Sequence, residues 1–167
     1  MEIKDDDPRL AIVWHSRTGA SEAMAREAAE AAANEIAVDL VRAPEATFSL
    51  MIGASAYLFV CPENLGSMSG AMKEFFDQFY YPLLGQIEGR PFASIIAAGS
   101  DGQGAERQME RIVTGWRLRR VVEPLIVNFD AQTPEAILAR KRVTENEIER
   151  CREIGVSLAV GTTLGVF

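Results

Sequence analysis

The chain has 167 residues, 48 % hydrophobic and 25 % charged, with a formal net charge of −7. That length suits one domain with a substantial core, and the acidic excess excludes nucleic acid or an anionic membrane as the main partner, since both demand clustered Lys and Arg. The longest apolar run falls far short of a membrane span, and Cys61 and Cys151 have no zinc-site or redox-pair spacing.

The opening Met1-Glu2-Ile3-Lys4-Asp5-Asp6-Asp7 is acidic and polar, the opposite of a secretory leader. Residues 1–7 are expected to form a flexible tail before a single domain over 8–167, in a cytoplasmic, reduced, metal-free protein. The run Leu10-Ala11-Ile12-Val13-Trp14 predicts a first strand, and the alanine-rich stretch over about 20–34 predicts a helix that can approach a sheet closely. A second strand over 36–41 mixes apolar and polar residues and is placed toward an edge. Residues 44–51 read as a connector or short helix. The third strand, 56–61, is nearly all apolar and therefore central.

A helix follows over about 71–80, ended by Pro82. The fourth strand is 92–98, and the next helix covers about 105–115. The fifth strand lies over 121–127, where Pro124 signals an irregular or edge segment. The last helix spans about 145–160. Strands alternating with helices predict an α/β, doubly wound parallel sheet covered on both faces. Ligands of such sheets bind beyond the carboxyl ends of the strands. The loops after the first, third and fourth strands converge there.

Those loops carry the chemistry. Ser16-Arg17-Thr18-Gly19-Ala20-Ser21 opens the first helix with hydroxyls, a glycine and unsatisfied helix amides, which suit a phosphate monoester. An ordinary capping turn accounts for the same residues equally well. Pro62-Glu63-Asn64-Leu65-Gly66-Ser67-Met68 offers amide, backbone and hydroxyl contacts for a heteroaromatic edge, with Leu65 and Met68 as apolar walls; Met68 as core filler is the plainer alternative. Gly99-Ser100-Asp101-Gly102-Gln103-Gly104 permits close backbone approach at Gly99, Gly102 and Gly104, and Asp101 either accepts from a sugar hydroxyl or stabilises the turn. His15 reads as structural, Trp14 and Trp116 as packing residues. Arg140-Lys141-Arg142 reads as a solvated helix end, or less readily as a contact to dinucleotide phosphates. The apolar surplus at Phe79-Tyr80-Tyr81-Pro82-Leu83-Leu84 marks either a pocket wall or a homo-oligomer contact.

The first loop resembles the phosphate loop of flavodoxins, and Gly66-Ser67-Met68-Ser69-Gly70-Ala71-Met72-Lys73-Glu74-Phe75-Phe76-Asp77 is similar to the corresponding segment of flavodoxin-like NAD(P)H-dependent FMN reductases and WrbA-like quinone oxidoreductases. Gly89-Arg90-Pro91 looks like that family's lead-in to the fourth strand. The resemblance implies a flavodoxin-like five-stranded sheet of order 2-1-3-4-5. It implies noncovalent FMN, its phosphate on the first loop and its ring between the second and third, with NADH or NADPH as electron donor. Electrons would then pass to a quinone, another small-molecule acceptor or a redox protein. No protein nucleophile is implied, because the flavin carries the chemistry. Glu63 is expected to set a negative charge beside the ring. A flavodoxin-type electron carrier without its own nicotinamide turnover is the alternative.

Overall fold

The computed structural model describes residues 7–167, so the expected tail lies, apart from Asp7, outside the described residues. Strand β1, Arg9–Trp14, sits between β2, Ala37–Arg42, and β3, Ala56–Asn64, and pairs parallel to both. Ile12 lies opposite Leu40 on one side and Leu58 on the other. The antiparallel strand β4, Ser67–Met68, folds back on the end of β3. Strand β5, Pro91–Ala98, continues the parallel sheet beyond β3. The fifth position is shared by β6, Arg119–Arg120, and β7, Leu125–Asn128, which both pair parallel to β5. By sheet position the order is the expected 2-1-3-4-5 of a flavodoxin-like fold. The last strand is broken between 120 and 125, where Pro124 cannot donate to the ladder.

Alternation along β1 builds two cores, as a sheet covered on both faces requires. Leu10, Ile12 and Trp14 pack on one side with helix α1, Ala20–Ala32, and helix α6, Glu145–Thr163. Ala11 and Val13 face the other side, with helix α2, Phe48–Gly53, helix α3, Gly70–Leu83, and helix α4, Gln103–Gly115. There Phe59, Phe75, Phe76, Phe79 and Trp116 form a continuous aromatic cluster, with Phe75 and Phe76 edge to face at 5.0 Å. The small residues of α1 let α6 come close: a Cβ added at Gly155 would lie 2.2 Å from the Ala28 carbonyl oxygen. Helix α4 is tied to β5 through buried Glu106, which accepts from Ser94 Oγ at 2.8 Å and pairs with Arg120. Burial pushes the Glu106 carboxyl up despite those partners.

Two expectations need correction, and one element was not expected. Pro82 lies inside α3 rather than ending it. It falls in the last turn, and the carbonyl it deprives of a donor, four residues back, belongs to exposed Gln78. The chain after β3 is a two-residue hairpin rather than a plain strand-to-helix loop: Leu65 and Gly66 both have positive φ, 53° and 77°, as such a turn requires. A short helix, α5, Pro134–Leu138, lies between β7 and α6, with Thr133 accepting from Ala136 N and Pro134 at its start. Tyr81 stays exposed while Phe75, Phe76 and Phe79 enter the core. No helix among the described residues is long and apolar enough to cross a membrane.

Candidate functional site

The carboxyl ends of β1, β3 and β5 open on a cleft of about 450 Å³, a volume typical of small-molecule and cofactor sites. All three expected loops reach it. Arg17, Thr18 and Ala20 line it from the first; Pro62, Glu63, Asn64, Leu65 and Gly66 from the second; Gly99 and Ser100 from the third.

The first loop ends in a corner built for close approach. Gly19 holds φ 94° and serves as the N-cap of α1, with no side chain capping the helix. The first helical bond runs from Ala23 N to Gly19 O at 3.1 Å, so the amides ahead of it lack helical acceptors. Ser16 is turned inward, its Oγ accepting from Gly19 N at 3.1 Å. Ser21, in the first turn of α1, is 1 % exposed, and its Oγ has no hydrogen-bond partner among the described residues. A buried hydroxyl without a partner is costly. Uncapped amides, a partial positive charge and an unpartnered hydroxyl are a donor set for an anion such as a phosphate.

The second loop is fastened to the third. Glu63 accepts from Gly102 N at 2.9 Å and from Ala105 N at 3.1 Å. Gly102 is the N-cap of α4, with φ 89°, and has no side-chain cap of its own. Glu63 therefore caps a helix from across the sheet, and the helix dipole offsets its charge. Its carboxylate is engaged by two amides of the α4 corner while Glu63 lines the cleft. Ser67 and Met68 form β4 outside the cleft: Met68 is buried and donates its N–H to Gln108 Oε1 at 2.9 Å. Gly104 lies in the first turn of α4, where an added Cβ would stand 2.0 Å from the Gly66 carbonyl oxygen. It serves as a close-packing residue between the loops. Asp101 is exposed at the turn. Leu65 stands fully exposed at the hairpin tip.

Beneath the first two loops, His15 Nδ1 lies 2.9 Å from Ser69 Oγ. Burial, with Arg42 and Arg17 nearby, holds the His15 imidazole below its usual range, so the ring is neutral near pH 7. Burial pushes both the Cys61 and Cys151 thiols up to about 12, which removes them from nucleophilic chemistry near neutral pH.

The fourth wall was not anticipated. Phe129, Ala131, Ile137, Leu138 and Lys141 complete the cleft. Ala131 N donates to Gly99 O at 2.7 Å, and Lys141 N donates to Thr18 O at 2.9 Å, so residues 129–141 strap the third loop to the first. Lys141 Nζ is consumed within the strap, donating to the carbonyls of Ala136, Ile137 and Ala139 at 2.6, 2.9 and 2.6 Å. The pair Thr133-Pro134 is a readable helix-start signal, but α5 buries no residue and so leaves no hydrophobic period to find.

A second cleft, about 540 Å³, lies between α3 and α4, on the far side of the Gly66–Gly104 contact. Lys73, Arg107 and Arg111 ring it over Tyr80 and Ile112. Lys73 pairs with Asp77. Arg107 and Arg111, one helical turn apart, have no acidic partner among the described residues, and like charges at that spacing repel.

Comparisons with known proteins agree with this architecture. A flavodoxin of Aquifex aeolicus (strain VF5) is 29 % identical over 158 residues, 90 % of this chain and 85 % of that protein. The structure of a flavodoxin from the domain Archaea superposes with a TM-score of 0.75 at 14 % identity, covering 92 % of this chain and 98 % of the other. That of a flavodoxin, WrbA-like protein from Agrobacterium tumefaciens gives 0.69 at 16 % identity, covering 94 % and 98 %. The family model for NADPH-dependent FMN reductase matches residues 43–133, from the start of the α2 region through the strap's first residues. With that match across more than half its length, the chain belongs to the NADPH-dependent FMN reductase family.

Proposed function

We propose that this protein binds FMN noncovalently in the cleft at the ends of β1, β3 and β5, and works as an NAD(P)H-dependent oxidoreductase that passes electrons to a quinone or another small acceptor. The observation that carries the reading is the start of α1: Arg17, Thr18 and Ala20 line a cofactor-sized cleft, the helix amides there have no side-chain cap, and the neighbouring buried Ser21 hydroxyl has no partner among the described residues. Residues 16–21 would take the phosphate, with Thr18 and Gly19 nearest the helix start. Residues 62–66 and Gly99-Ser100 would flank the ring, with Phe129, Ile137 and Leu138 as further apolar wall.

When bound, FMN supplies the hydride-accepting centre; the chain positions it and keeps water from it. Neutral His15 holds the Ser69 end of α3 against the first loop. Glu63 fixes the spacing between the two ring-side loops. The cationic second cleft supports the nicotinamide part of the reading, because Arg107 and Arg111 suit the phosphates of a dinucleotide donor laid across the Gly66–Gly104 wall.

The test is spectroscopic and kinetic. Purified protein is expected to carry or take up FMN, and to oxidise NADPH or NADH when a quinone is present. FMN binding without any nicotinamide oxidation would select the electron-carrier reading, which the acidic surface also favours because it steers basic redox partners. A homo-oligomer contact at exposed Tyr81 and Leu84 is a further part of the reading; sedimentation of a monomer at micromolar concentration removes it.

A further inference from the structure

The corner that opens α1 and the corner that opens α4 share one backbone device. Gly19 has φ 94° and ψ −17°, Gly102 has φ 89° and ψ −17°, and neither helix has a side-chain cap of its own. At Gly102 the space a Cβ would fill is occupied by Ile126 and Ala98, and the amides are satisfied by Glu63. At Gly19 the same space faces the Arg140 guanidinium: Cζ and Nη1 lie 3.6 Å away, and Nη2 3.8 Å. The Lys141 N to Thr18 O bond at 2.9 Å sets that register, fixing the residue next to Arg140 against the loop. Lys141 spends its own charge on the carbonyls of α5. Arg140 itself has no acceptor among the described residues. One corner thus holds an anion supplied by the protein, while the other gathers a cation, free amides and the unpartnered Ser21 hydroxyl.

We infer that Arg140 is a specificity-determining residue for the cofactor, closing the phosphate corner from the strap so that the site selects FMN over riboflavin. This rests on the FMN reading above. A planar guanidinium reaches a phosphate with two parallel donors, which a lysine cannot reproduce. The contact discriminates by charge, because the ring and ribityl chain are common to both flavins. Arg140 is not needed for α5 or α6 to form: α5 is capped by Thr133, and α6 by a capping box of Thr144 and Glu147.

The experiment titrates flavin-free protein with FMN and, separately, with riboflavin, following quenching of flavin fluorescence. Wild type, Arg140→Ala and Arg140→Lys are compared, and thermal melts check folding. Arg140→Ala is expected to lose about 10- to 100-fold in FMN affinity, as for a lost charge-assisted contact, with riboflavin affinity unchanged. Arg140→Lys recovers part of the loss, and the wild-type preference for FMN shrinks as salt is raised. Unaltered FMN affinity in Arg140→Ala, tighter FMN binding, or equal losses for both flavins overturns the inference while leaving the cofactor reading in place. Wild type that binds neither flavin overturns both.

Discussion

The first turns of α1 and α4 make the same approach to the cleft and reach opposite ends. Both begin at a glycine with positive φ, at the carboxyl edge of the sheet. The α4 turn is closed from within, by Glu63 on Gly102 N and Ala105 N. The α1 turn is left open, with Ser21 Oγ unpartnered. A helix start needs an acceptor from somewhere. Where the fold provides a carboxylate, the turn is structural. Where the fold withholds one and adds a cation, the turn is poised for an anion from outside.

The sharpest way to break this pairing is the glycine itself. Gly102→Ala places a Cβ 2.5 Å from Ile126 Cγ2 and 3.0 Å from Ala98 Cβ on top of an unfavourable φ. It is expected to cost about 3 kcal/mol by chemical denaturation. Gly19→Ala meets only the side-chain tip of Arg140 at 3.6 Å, an ordinary contact, so the cost is the φ alone, about 1 kcal/mol. Equal costs would mean that the two corners are closed alike.

Glu63→Ala removes the internal anion, and about 2 kcal/mol of stability should go with it. Sulfate should then stabilise this variant more than wild type, which offers the ion only its α1 corner, because the α4 corner has been made to resemble the α1 corner. A Glu63→Ala protein as stable as wild type would show that the carboxylate does not serve as a cap.

Ser21→Ala should act in two directions. Removing an unpartnered buried hydroxyl raises the melting temperature of flavin-free protein, by about 0.5 to 1 kcal/mol in stability, and lowers FMN affinity about fivefold. If the melting temperature falls instead, Ser21 Oγ has a partner in solution.

The smallest effect is with pH. Burial and the positive charges of Arg42 and Arg17 hold folded His15 below its ordinary 6.5. Unfolded chains therefore bind the proton first, and the stability His15 contributes is complete above 6.5 and falls as pH drops toward its folded value. Denaturation midpoints between pH 7.5 and 5.5 should slope down in wild type, and less steeply in His15→Gln.

The contrast also explains what could be read in advance. The parallel strands were legible because their apolar runs must be buried on both faces, and the first loop because Ser, Thr and Gly cluster at a helix start. The role of Glu63 was hidden: its acceptor function depends on the Gly102 corner, 39 residues further on, arriving opposite it across β3 and β5. Arg140 and Lys141 looked like one solvated basic run. Their division of labour follows only from the bond between Lys141 and Thr18. Pro82 reads as a helix end, yet α3 accommodates it in its last turn, where solvent satisfies the exposed carbonyl it leaves without a donor.

The Gly155 contact with Ala28 has a consequence for the rate of association. Helix α1 packs on the sheet beside α6, which itself lies on β3 and β5, and the two helices meet backbone to backbone at Ala28 and Gly155. The leading end of α1 is therefore preorganised, and a ligand docking there has no helix to rearrange first. Replacing Gly155 with a bulkier residue would loosen that seat, and the penalty should surface as slower, weaker capture at the distant end of the same helix.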